Sequence, residues 1–320
     1  MRWNRLLDFK SVLIVLTGLV YHACAPPQNE LLLKGLSSYD DEQYRTAISY
    51  FTEAIEADPG NADLYYYRGR TKMKLDSCNE AIVDYSKAIT LDKTKYDYFI
   101  NRGLAKISCQ RYFEAILDFD YAEFLDSANA SIYFNRAYAK ESIEDYPGAI
   151  EDYSVAISLD STNFKFYLNR GLLYSVLGDP QNAINDFTSA ILNNPKDELA
   201  FKNRGDEYYK QGNLQQAIND YTDAIDVEPE NSELYYLRAE AKIGLNEFLG
   251  AAVDYTYIIS LDSTDATAYY NRGICYASLN IKFSACNDFK RAGELGMFEA
   301  YQVIKDYCEQ QEKSKTKSKK

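Results

Sequence analysis

The sequence predicts an all-α fold: a solenoid of eight helix-turn-helix units of 34 residues each, followed by a C-terminal capping helix. Three periodic series carry that prediction. Ala47, Ala81, Ala115, Ala149, Ala183, Ala217, Ala251 and Ala285 recur every 34 residues. Four residues after each stands an aromatic: Phe51, Tyr85, Phe119, Tyr153, Phe187, Tyr221, Tyr255 and Phe289. A third series runs Gly35, Gly69, Gly103, Ala137, Gly171, Gly205, Ala239 and Gly273. Self-similarity at such a fixed period marks an architecture in which each unit buries its apolar face against its neighbours.

Taken in order, the chain opens on a segment unlike the rest. Arg2, Arg5 and Lys10 flank the start of an apolar run from Ser11 to Ala23. A run this short cannot cross a bilayer, which takes about 20 apolar residues. Its basic start and short apolar stretch read as an export signal over residues 1–23. The segment resembles a bacterial lipoprotein signal, in which cleavage falls just before a cysteine that then carries lipid. Ala23 fits the small residue before that cysteine, Cys24 is its candidate lipidation site, and residues 24–27 form a short tether. Tyr21 departs from the aliphatic residue of the pattern. The resemblance implies an exported chain, periplasmic or at the cell surface, anchored to a membrane through Cys24; an ordinary cleaved signal with a soluble product is the alternative.

The repeats follow at 28–61, 62–95, 96–129, 130–163, 164–197, 198–231, 232–265 and 266–299, without an insertion or deletion. Each holds two apolar patterns of helical spacing joined by a polar turn. In the fifth, Tyr167, Gly171 and Tyr174 mark the first helix, Ala183, Phe187 and Ala190 the second, and Gly178-Asp179 the turn. Polar and proline residues such as Asp58-Pro59, Asn194-Pro195 and Glu228-Pro229 separate successive units. The small residue of the first helix is expected to face the alanine of the second, letting the backbones close, with the aromatic filling the gap to the next unit. A larger side chain at Ala149 or Ala183 should overpack that contact. After the eighth unit, residues 300–312 continue the helical spacing through Tyr301, Ile304 and Cys308 as a capping helix, and residues 313–320 form a basic, disordered tail.

This pattern resembles the tetratricopeptide repeat, over 272 of the 320 residues. The tryptophan often found early in that family's first helix is Tyr or Phe here: Tyr65, Phe99, Tyr133, Tyr167, Phe201, Tyr235 and Tyr269. The apolar residue expected just before the glycine is replaced by Arg68, Arg102, Arg136, Arg170, Arg204, Arg238 and Arg272. Each of these arginines has an aspartate 16 residues later, from Asp84 and Asp118 through Asp288, whereas the first unit has Lys34 and Tyr50 and so lacks both. Joint presence and joint absence predict an ion pair between the two helices of one repeat, a device that sets register.

The resemblance implies a right-handed superhelix whose first helices line a concave groove. Inward places then begin one residue after the early aromatic. They are Ile100, Leu104 and Ile107 in the third unit; Phe134, Tyr138 and Glu141 in the fourth; Leu168, Leu172 and Ser175 in the fifth; and Lys202, Asp206 and Tyr209 in the sixth. The lining should therefore be apolar at first and polar later. Beside it runs a row of asparagines, with Asn101, Asn135, Asn169 and Asn203 as candidate ligand contacts, since an amide both donates to and accepts from an extended peptide. The lysine and arginine set with which some family members grip a partner's C-terminal carboxylate is not matched, because the inward Lys202 is accompanied by Asp206.

Charge and composition narrow the function further. The whole chain carries −13. Residues 1–23 contribute Arg2, Arg5 and Lys10 against Asp8, so without them the charge is −15; with the five lysines of 313–320 also set aside, residues 24–312 carry −20. Such a body repels phosphate backbones, so no nucleic-acid partner is expected. The sole histidine, His22, lies in the signal, which excludes histidine-based triads from the exported chain. Beyond Cys24 there are Cys78, Cys109, Cys275, Cys286 and Cys308, with no metal-ligand spacing. Cys286 could pair with Cys275 or Cys308, and an odd count leaves one unpaired; most are expected to be small buried residues. No enzyme, cofactor or metal is expected. The expected function is an envelope scaffold or adaptor that binds a peptide segment of a partner protein, and a structural or carbohydrate-binding wall protein is the alternative, suggested by the 30 tyrosines.

Overall fold

The computed structural model describes residues 27–309. The signal at 1–23, Cys24 and the tail at 313–320 lie outside the described residues. Every regular element among the described residues is helical. The chain divides into two compact units, one ending at Leu159 and one beginning at Asp160.

The first unit holds four hairpins: α1 (Pro27–Asp40) with α2 (Tyr44–Ala57), α3 (Ala62–Met73) with α4 (Cys78–Leu91), α5 (Tyr96–Ser108) with α6 (Tyr112–Leu125), and α7 (Ala130–Glu141) with α8 (Tyr146–Leu159). The second holds α9 (Phe164–Val176) with α10 (Pro180–Asn193), α11 (Glu198–Lys210) with α12 (Leu214–Val227), α13 (Ser232–Gly244) with α14 (Phe248–Leu261), and α15 (Ala266–Ser278) with α16 (Lys282–Glu294). There α17 (Glu299–Val303) and a π-helical turn, Ile304–Cys308, pack on α16. In the first unit the first helices α1, α3, α5 and α7 also approach one another in succession, and in the second α9 approaches α11. They crowd together on one side of the stack, which is its inner side. This is the α-solenoid the periodicity predicts.

Local chemistry explains the helix ends. Most first helices start at a cap whose side chain accepts from a backbone N–H: Asn61, Asn129, Asn163, Asp197, Asn231 and Asp265. The turn inside each hairpin is held by one residue with left-handed backbone, and these too recur every 34 residues. Gly178 and Gly212 take that place in two repeats, whereas Glu42, Asp76, Gln110, Glu144, Asn246 and Asn280 adopt φ of 54° to 63°, a conformation costly for a side chain with Cβ.

All eight alanines of the first series are fully buried, and the aromatics four residues on are at most 3% exposed. The small residue of the first helix faces that aromatic, not the alanine. A Cβ added at Gly35, Gly69, Gly103, Gly171, Gly205 or Gly273 would meet the ring of its own repeat at 2.5 to 2.9 Å. The ring is the bulkier object at the crossing, so it sets how close the helices come. It also reaches onward, as Phe51 stacks 6.0 Å from Tyr67 in the next repeat.

The predicted ion pair is present in all seven repeats that carry it. Each guanidinium grips its aspartate with two parallel bonds, Nη2 to Oδ1 at 2.6 to 2.8 Å and Nε to Oδ2 at 2.8 to 3.2 Å. Two further partners were not foreseen. The remaining Nη1 reaches back to the second helix of the preceding repeat, donating to Thr52, Ser86, Asp120, Thr188, Thr222 and Thr256 from Arg68, Arg102, Arg136, Arg204, Arg238 and Arg272. In four repeats a lysine one turn after the arginine, Lys72, Lys106, Lys140 or Lys242, also meets the aspartate at 2.7 to 2.8 Å. One side chain thus ties two helices of its own repeat and one of the repeat before.

Two disulfides differ from the expectation of mostly unpaired, buried cysteines. Cys78, which opens α4, joins Cys109 just past α5, linking the second repeat to the third. Cys286 in α16 joins Cys308 and pins the terminal turn to the last hairpin. The Cys78 pair escapes sequence inspection because the two residues stand 31 apart and meet only through repeat stacking. Cys275 is free and buried.

Removing one carboxylate of the ladder leaves a guanidinium held in the packing without its partner. Asp220→Ala should therefore destabilise the second unit by about 3 to 5 kcal/mol, and replacing the pair together, Arg204→Met with Asp220→Leu, should cost less. Urea midpoints of the three proteins, followed by circular dichroism, check both statements.

Candidate functional site

The predicted lining lies on first helices, and each unit carries its own part of it. Ile100, Asn101, Leu104 and Ile107 lie on α5 and Phe134, Asn135 and Tyr138 on α7, all in the first unit; Leu168, Asn169 and Leu172 lie on α9 and Asn203 on α11, in the second. Ile100 and Leu168 are only 7% and 8% exposed, so they offer little surface to a ligand. Leu168 belongs to a core cluster with Ala183, Phe187, Ala190 and Ala200, and Leu172 packs against it. Tyr138, 47% exposed, presents its ring to solvent. Cys24, the candidate lipid carrier, lies outside the described residues.

The asparagines are held by their own helices. The side-chain N–H of Asn101, Asn135, Asn169 and Asn203 donates to the carbonyl four residues back, on Asp97, Ser131, Lys165 and Leu199, at 2.7 to 2.8 Å. That bond fixes the amide in one rotamer and leaves its carbonyl oxygen to accept from a ligand. Asn101 also donates to the Tyr66 hydroxyl at 3.3 Å, which ties α5 to α3 across the inner face.

A cavity of the first unit joins the first three repeats and takes in only Asn101 and Leu104 of the lining named from the sequence. It measures about 250 Å³ and is lined by Tyr39, Arg70, Met73, Lys74, Tyr85, Asn101 and Leu104. A second, of about 80 Å³, is lined by Leu36, Tyr39, Asp40, Phe51, Tyr67 and Arg70. The rule that named Ile100 and Leu104 in the third unit points to Tyr66, Arg70 and Met73 in the second and to Leu36 and Tyr39 in the first. The signal was in the sequence at those positions as well. Tyr66 packs among Tyr67, Tyr85 and Tyr98 with centroids 5.1 to 6.0 Å apart, and burial raises its pKa, an effect the neighbouring Arg70 partly offsets.

The inner face of the second unit is more polar and its groups satisfy one another. Lys202 pairs with Asp206 at 3.3 Å and Glu233 at 3.2 Å, and Asp206 accepts from Tyr221. The buried Glu207 accepts from Ser175 and Lys210. Two larger openings of this unit, about 610 and 310 Å³, are shared by Tyr257 of the second helix α14 and by the turn at Glu228–Asn231 or the side of α14 at Leu249 and Val253. They involve the second-helix side, where none of the predicted contacts lies. Among the described residues no group of His, Cys, Asp and Glu is placed to hold a metal, and no helix is long and apolar enough to cross a membrane.

Comparison with known families matches four stretches of the chain, two of which overlap. A model described as TPR repeat matches residues 142–178 and 205–244, and models described as tetratricopeptide repeat match 32–91 and 164–197. No curated protein matches. Among solved structures the chain is similar to the C-terminal part of a TPR repeat-containing protein from Cytophaga hutchinsonii, with TM-score 0.64 and 17% identity over 74% of this chain and 97% of that one. It is also similar to YrrB, described as a TPR protein with an unusual peptide-binding site, with TM-score 0.50 and 22% identity over 60% of this chain and 97% of that one. At these identities the likeness concerns the fold.

At the far end of the first unit's inner face, Glu141 accepts from the Tyr153 hydroxyl at 3.1 Å. Burial raises its pKa, and the tyrosine bond opposes that only in part. A carboxyl raised in the folded state adds stability while protonated, below its ordinary value, and loses that contribution as pH climbs through the raised one. Glu141→Gln should therefore raise the melting midpoint at pH 7, and the two proteins should converge below about pH 4; thermal melts across that range check it.

Proposed function

Because the chain is a tetratricopeptide repeat protein, we propose that it serves as a scaffold that binds an extended segment of a partner protein on the inner face of its first unit. The observation that carries this reading is the 250 Å³ cavity on that face, whose lining brings together aromatic Tyr39 and Tyr85, apolar Met73 and Leu104, and the positioned amide of Asn101. Apolar walls with a few oriented polar groups are what a peptide needs: pockets for alternate side chains and partners for its backbone. The first helices supply such groups at a fixed interval of one repeat. YrrB, whose description names a peptide-binding site, shares the fold.

The proposed location is the cell envelope, with Cys24 as the lipid attachment point. The basic and apolar stretches before Cys24 support export. Two disulfides support it too, since such bonds persist in oxidising compartments outside the cytosol.

Pull-down from envelope extracts with residues 24–320 should recover protein partners that Leu104→Glu and Tyr138→Ala lose while keeping the parent melting midpoint. Recovery of glycan alone, unchanged by either variant, would instead favour the wall-binding alternative. Metabolic labelling with a fatty acid should mark the full-length chain and leave Cys24→Ser unmarked; equal labelling of both rules out this anchor.

A further inference from the structure

One arginine on the inner face of the first unit takes no part in the ion-pair ladder. Seven arginines of the first helices are bound to aspartates in the ladder, but Arg70, on α3 two residues after Arg68, is not among them. Among the described residues no carboxylate lies within ion-pair distance of it. Its guanidinium instead rests over two rings, 5.4 Å from the centroid of Tyr39 on α1 and 5.7 Å from that of Tyr66 on α3. Arg70 lines both cavities of this face, and Lys74 lines the larger with it. In a chain of net charge −13, a basic pair lining an open cavity runs against the prevailing field.

The geometry suits an anionic group. Tyrosine faces hold a guanidinium by its flat side through cation–π attraction, and a planar guanidinium so held still has N–H groups at its edge, which pair bidentately with a carboxylate. Pre-ordering of the side chain lowers the entropy lost on binding. Beside the charge lie Met73 and Leu104, and Asn101 offers its amide. Acidic side chains of the neighbourhood are Asp40, which lines the smaller cavity, and Asp97 and Asp63, which act on Tyr66 through their charge.

We propose that Arg70, caged by Tyr39 and Tyr66 and assisted by Lys74, recognises an acidic side chain of the bound segment, with a neighbouring apolar side chain seated against Met73 and Leu104. The partner segment is thus acidic and apolar in alternation. This assignment rests on the inner-face reading above and deepens it.

Fluorescence polarisation with the chain from residue 24 to 320 tests it. The probes are two ten-residue peptides with amidated C-termini, one alternating Glu and Leu and the other Gln and Leu. The unmodified chain should bind the glutamate peptide about ten-fold more tightly, as charge-assisted bonds warrant, and the preference should shrink as salt is added. Arg70→Gln should bind both peptides equally while keeping the helical circular-dichroism spectrum, and Arg45→Gln, an exposed change on α2, should keep the preference. Leu104→Glu should lose both. If the unmodified chain binds the two peptides equally, or if Arg70→Gln keeps the preference, the carboxylate assignment is overturned and the inner-face reading stands. If neither peptide binds, both fall.

Discussion

A guanidinium gripped by the carboxylate sixteen residues downstream recurs in seven of the eight repeats, and the register of each of those hairpins depends on it. The gain in free energy is small, because burying two charges offsets most of their attraction. The penalty for misalignment is large: a slip of one residue turns both groups away from each other while leaving each in the packing. The third arm extends the constraint, since Nη1 must find an acceptor on the preceding repeat. Helix pairing and repeat stacking are therefore set by one side chain. The glycine beneath the aromatic ring adds the steric half, because the helices approach only as closely as Phe51 or Tyr85 allows.

These two devices explain why so much of the fold was legible. Eight units in phase act as their own comparison, so the coincidence of Arg and Asp, and their shared loss in the first unit, exposed a contact between residues far apart in sequence. The back-bond to Thr52 or Ser86 was not legible, as hydroxyls are common and any could have served. Nor was the left-handed turn, which a reader finds by glycine: Gly178 and Gly212 advertise it, whereas Glu42 and Gln110 take the same strained conformation without any compositional mark. The facing of glycine to ring rather than to alanine depends on how the helices cross, which the period alone does not specify.

For the candidate site, the rule for inward positions selected the face but not which of its positions are open. Ile100 and Leu168 obey the rule and are nevertheless buried; Leu168 packs into a core cluster with Ala183, Phe187 and Ala190 of its own second helix and Ala200 of the next repeat. The open part lies around Tyr39, Met73, Tyr85 and Leu104. There the surface combines apolar depth with an unneutralised cation, whereas the inner face of the second unit spends its charges on itself through Lys202, Asp206 and Glu233. The two units thus differ in what they can offer a partner even though they share a backbone plan.

The strict 34-residue interval of the arginine, its aspartate and its upstream acceptor has an evolutionary corollary. A gene for such a chain tolerates duplication or loss of a complete module, since each copy arrives with both ends of every bond. A shorter insertion strands a charge at each boundary it shifts, so growth of the array proceeds in whole steps, and the eight uninterrupted copies are the expected residue of that filter.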